Sequence, residues 1–220
     1  MKNQQQNAPL EYYRAKYRKL DPQETKKHTN LHYDAEKKRF TLETLNQTIY
    51  AEWPEYKLTP ANPEHCPKEL GGFAMQILAI RYLTEGAQAP AKGTYKAYRE
   101  LPWGETYDAN FQGRCIKRLA HSFGTKIKEF EKAAETLGGK KQTLGDSSYD
   151  LPFLGGVTCR LILWAPEEEF PPSAQILFSD NTPAAFNAED LAALGDVLVT
   201  TLKEVTSKTL AISSPQPLFP

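Results

Sequence analysis

Residues 161–178 read LILWAPEEEFPPSAQILF. Leu161, Ile162, Leu163 and Trp164 are apolar on both alternations of an extended chain, which predicts a central strand covered on both faces. "SAQILF", ending at Phe178, reads as a second strand. Between the two runs, Glu167, Glu168 and Glu169 are followed by Phe170 and two prolines. In an extended chain Glu167 and Glu169 face one way and Glu168 the other. The plain reading is the connection of an antiparallel pair, where charge also blocks edge pairing. The sharper alternative is a pair of carboxylates acting as acid and base, which requires their pKa values to be pushed apart.

Upstream, "SYDLPF" and "VTCRLILW" add strand pattern to the same cluster. Downstream, Asn187 caps a helix whose buried stripe is Leu191, Leu194, Leu198, Leu202 and Val205. Asp190 lies in its first turn, where it complements the helix dipole. Nearer the start, Phe40, Leu42, Ile49, Ala51 and Trp53 alternate with polar neighbours. They predict a hairpin over about 38–53, with Asn46 at the turn. Residues 54–65 read as loop.

Five helices complete the pattern. Residues 10–19 form the first, and a short one follows Pro22 with Asp21 as its cap. A helix apolar nearly all round spans 67–83, with Pro67 in its first turn, Gly71 and Gly72 inside it, and Gly86 as its stop. Tyr107, Phe111, Cys115 and Leu119 define another over 107–121. Thr125 is expected to cap one more, ended by Gly138 and Gly139. The opening "NQQQNAP" reads as a polar, frayed start, and the closing "SSPQPLFP" as an irregular extension. Strands and helices do not alternate. The fold class is therefore α+β, a mainly antiparallel sheet with helices packed on it, in a single domain of 220 residues.

Lys plus Arg and Asp plus Glu are balanced at 27 each, which argues against a nucleic-acid partner. The longest apolar runs fall short of the roughly 20 residues that cross a bilayer, and the N-terminus lacks a signal-type apolar segment. No membrane association and a cytoplasmic location are expected. Three dispersed cysteines, Cys66, Cys115 and Cys159, form neither a disulfide framework nor a metal motif.

The candidate chemistry is sparse. His28 and His32, and the pair His65–Cys66, read as ordinary histidines and a thiol, with no metal assigned. Asp146 in "GDSS" reads as a turn former. Arg114, Arg118 and His121 share a helical face able to receive a carboxylate or phosphate. Tyr107, Arg114, Asp146 and Trp164 are the residues expected to converge on a ligand, in a pocket between the sheet and the 107–121 helix.

Together "RELPWGETYDANFQGR", "TLGGKKQTLGDSSYDLPF" and the stretch from Leu161 to Val199 resemble a bacterial and archaeal family known as domain of unknown function 3786. "IRYL" at 80–83 resembles its central helix. The resemblance spans about 20–206, and the run from Trp164 to Pro171 is its most specific part. It implies no catalytic residue and names no cofactor. Members joined to iron–sulfur modules imply a possible redox or iron–sulfur partner protein, although this chain has no cysteine cluster. The expected function is a binding or accessory module for a small anionic ligand, a cofactor or a redox partner. An enzyme using paired carboxylates and a protein–protein interaction domain are the alternatives.

Overall fold

The computed structural model describes residues 2–213. The expected tail lies outside them from Ser214 onward. The fold is α+β, with two antiparallel sheets where one was expected. The first contains β1 (His32–Asp34), β2 (Arg39–Thr44), β3 (Gln47–Glu52) and β4 (Leu58–Pro60) in sequence order. β2 and β3 form the expected hairpin. Leu45 and Asn46 take φ of 48° and 59° between them, the left-handed pair that matches strand twist in a tight turn. β4 lies in the stretch read as loop. It is three residues long, too short for alternation to register.

The second sheet contains β5 (Tyr95–Ala97), β6 (Lys140–Gln142), β7 (Ser147–Pro152), β8 (Thr158–Trp164) and β9 (Ser173–Ser179) in the order β5-β9-β8-β7-β6. The strand carrying LILW is central, as its doubly apolar pattern requires. Trp164 pairs with Ser173 at the end of the β8–β9 ladder, which puts the acidic stretch in the connection between them.

The helices are α1 (Lys2–Tyr17), α2 (Pro22–Thr29), α3 (Phe73–Glu85), α4 (Gly104–Phe111), α5 (Arg118–Phe123), α6 (Ile127–Thr136), α7 (Thr182–Ala185) and α8 (Ala188–Ser213). Asp21 caps α2 by accepting the Gln23 N–H at 2.8 Å. α1 begins at Lys2, so the polar opening is helical rather than frayed. α3 begins later than expected. Pro67 leads into a short 3-10 turn, Lys68–Gly71, and Gly72 is the cap of α3 rather than an interior residue. α6 starts after Lys126, with no side-chain cap from Thr125. The predicted 107–121 helix is longer, because α4 and α5 are joined by a π turn, Gln112–Lys117.

That π turn sits against α8 at a close approach. A Cβ on Gly195 would lie 2.8 Å from Phe111 Cε2 and 2.9 Å from Cys115 Sγ. Phe111 in turn stacks on Tyr98 at 4.2 Å and tilts against Phe178 of β9 at 5.9 Å. The helix thus fills the space over the sheet with its own aromatic face.

Candidate functional site

A cavity of about 280 Å³ opens where the last turns of α3, the segment 101–103 and the start of α8 meet. Its apolar floor is made by Leu101, Phe186 and Leu191, all buried. Its charged wall comes from Arg81 and Glu85 on α3 and Asp190 on α8. Trp103 stands at its edge and is 80% exposed.

The backbone imposes that exposure. Tyr98–Glu100 forms a 3-10 turn, and Gly104 N donates to Leu101 O at 2.9 Å. Gly104 packs so tightly that a Cβ there would lie 1.9 Å from Tyr98 O. Trp103, directly before it, is held at φ 65° and ψ 2°. A left-handed conformation costs a non-glycine residue roughly 1–2 kcal/mol. Burial of the indole does not offset that cost, since the ring faces solvent. Non-glycine residues held this way cluster at ligand-binding sites.

Asp190 owes its place to the capping of α8. Its N–H donates to Asn187 Oδ1 at 3.0 Å, and its Oδ2 accepts from Asn187 N at 3.2 Å. This reciprocal pair draws the carboxylate inward. Arg81 Nε approaches its Oδ1 at 3.1 Å but makes no hydrogen bond there. The pairing therefore only partly compensates desolvation. Burial pushes the Asp190 carboxyl up to about 6, against the opposing pull of Arg81 and the Asn187 N–H. Arg81 Nη1 also lies 3.4 Å from Glu189 Oε2, and its guanidinium sits 5.3 Å from the centre of the Tyr13 ring. Lys16 Nζ binds Glu85 Oε1 at 2.6 Å. Arg81 and Lys16 thus face Glu85, Glu189 and Asp190, leaving one negative charge in excess when Asp190 is ionised.

The four residues expected to converge divide into two pairs. Tyr107 and Arg114 line a separate cavity of about 520 Å³ with Tyr98, Asn110 and Glu189, between α4 and α8. The expected space between sheet and helix is occupied by Phe111. Arg114 Nη2 binds Asp196 Oδ2 at 2.8 Å, and Arg118 Nη1 binds the other oxygen of the same carboxylate. The cationic face does receive a carboxylate, but one supplied by α8. His121 is not part of that pairing.

Asp146 and Trp164 lie together at the far end of β8. Asp146 Oδ2 accepts from Ala165 N at 2.7 Å, and Asp146 N donates to Leu163 O at 2.9 Å. Trp164 and Glu167 line an open depression of about 640 Å³ with Phe170. Reciprocal backbone bonds between Glu167 and Phe170, at 3.0 and 3.2 Å, close the acidic turn. The side chains of Glu167, Glu168 and Glu169 are exposed. This is the geometry of a connection.

The remaining candidates have local partners. His28 Nδ1 lies 2.7 Å from Gly86 O, and His65 Nδ1 lies 3.1 Å from Asn62 Oδ1. All three thiols are buried, and burial pushes Cys115 up to about 12. Among the described residues no group of three His, Cys, Asp or Glu is placed to hold a metal ion. Among them, too, no helix is long and apolar enough to cross a membrane.

Sequence reading passed over Arg81, Trp103 and Asp190 as a site. The available signals were one arginine inside an apolar helix and an acid three residues after a capping asparagine.

The family model Domain of unknown function (DUF3786) matches residues 21–201. The chain belongs to that family. The DUF3786 match takes in Arg81, Trp103, Asp190 and the acidic turn, and leaves α1 outside. No curated protein and no solved structure matches the chain.

Proposed function

We propose that this DUF3786 domain is a binding module for a small flat-ringed molecule taken up at the Trp103 cavity. The observation that carries the reading is Trp103 itself, exposed and in a left-handed conformation at the edge of a cavity walled by Arg81 and Asp190. The indole offers a stacking face. The buried floor takes the rest of the ring, and the charged wall reads the polar end.

The charge excess selects that polar end. Above about pH 6 a carboxylate ligand meets ionised Asp190, while a protonated amine gains an acid and a cation–π face. The expected preference for small anions therefore does not extend to this cavity. Benzylamine, benzyl alcohol and benzoate differ chiefly in the charge of the polar end. Titrated at neutral pH by tryptophan fluorescence, they are expected to bind in that order. Trp103→Phe should remove the signal, and Arg114→Ala should leave it intact. Equal responses to all three probes, or an unchanged signal in Trp103→Phe, would sink the reading.

A second reading uses the same surface for docking a protein, a redox partner included. It draws on the exposure of Tyr107, 50%, four residues after Trp103. A response to partner but to none of the benzyl probes would favour it.

A further inference from the structure

A further cavity, of about 380 Å³, lies across the seam between α1 and the turn that follows β3. Arg14 enters its lining from α1, Arg18 from the turn just after that helix, Lys57 and Glu55 from the turn after β3, and Gln76 from α3. Its charge is opposite in character to that of the Trp103 cavity. Arg14 Nη1 binds Glu11 Oε1 at 2.6 Å. Arg18 and Lys57 have no ion-pair partner among the described residues. Three cations therefore face two acids, Glu11 and Glu55, and two of the cations are uncommitted.

Arg14 adds an independent sign. Its Nε is buried and has no hydrogen-bond partner among the described residues, an arrangement that is costly unless something completes it. The turn is held in place from below. Tyr56, at φ 53°, is buried and donates its hydroxyl to Gln76 O at 2.5 Å. Lys57 is thereby presented opposite the two guanidiniums on a fixed stretch of chain.

We propose that this cavity binds a phosphate monoester of a small organic molecule. Two guanidinium forks suit the oxygens of a phosphate, and a lysine adds a point charge. The volume exceeds that of phosphate alone and leaves room for an organic portion. The site is independent of the Trp103 cavity, and Arg14 and Arg18 lie outside the family match.

The test uses the full chain with glycerol 3-phosphate and inorganic phosphate as probes, at constant ionic strength, and chloride as control. Binding is followed by calorimetry and by backbone amide shifts. Saturable binding of glycerol 3-phosphate is expected, with shifts at residues 14, 18, 56–58 and 76. Arg18→Gln should weaken it about tenfold or more, the effect of removing one charge-assisted contact. Both Arg18 and Lys57 are exposed, so Arg18→Gln and Lys57→Gln are expected to fold. Trp103→Phe should bind the probe as the parent does. Shifts that never saturate, a chloride response of equal size, or full binding in the Arg18→Gln, Lys57→Gln double variant would overturn the proposal.

Discussion

Trp103 and Asp190 are each less stable where they stand than an alternative residue would be, and each faces the same cavity. Replacing Trp103 by glycine relieves the left-handed backbone at little loss of burial. Trp103→Gly is therefore expected to raise unfolding free energy by up to about 1 kcal/mol while abolishing the benzylamine response. A clear loss of stability in urea would contradict that. For Asp190 the folded pKa, about 6, lies above its ordinary value of 3.8. Its contribution to stability is fully present below the ordinary value and is lost as pH rises through about 6. The full loss is on the order of 3 kcal/mol, from a shift of this size. Urea unfolding at about pH 5 and about pH 8 should show a larger drop for the parent than for Asp190→Asn. Equal pH dependence in the two proteins would refute the assignment. Neither residue was legible as part of a cavity, because a backbone angle and the depth of a carboxylate are set by tertiary packing.

At the scale of elements, strong periodicity was readable and its interruptions were not. β8 was evident from LILW, and the cap of α8 from Asn187 and Asp190. The π turn was invisible because Phe111, Cys115 and Leu119 keep a four-residue spacing through it. Gly71 and Gly72 misled for a related reason: the apolar run after them suggests an earlier helix start than the backbone takes. The acidic turn is an element-scale feature too. Asp146 fastens its foot by accepting the Ala165 N–H, and its glutamates remain in solvent. The joint between the π turn and α8 depends on Gly195. Gly195→Ala places a methyl within 3 Å of Phe111 and Cys115, and overpacking of this kind typically costs about 1–3 kcal/mol. A reduced urea midpoint with an unchanged m-value is the expected result, and an unchanged midpoint would show that α8 moves aside freely.

Across the whole molecule, α1 joins regions that sequence reading treated separately. Its Tyr17 is fully buried and packs edge-on against Tyr56 at 5.1 Å. Tyr13 and Lys16 reach the wall of the Trp103 cavity, and Arg14 and Arg18 line the basic one. Tyr17→Ala is expected to cost about 3–5 kcal/mol in urea unfolding, as for a buried aromatic removed from a core. A cost below about 1 kcal/mol would make α1 an appendage. The α+β class and the family were readable, whereas the cavities were not, because each is assembled from segments far apart in the chain. The most direct test of the central claim is an amide and indole shift map of the protein titrated with benzylamine. Saturating shifts centred on Trp103, Arg81 and Asp190 are predicted. Shifts confined to the Tyr107–Arg114 cavity or to the acidic turn, or the absence of saturable shifts, would contradict it.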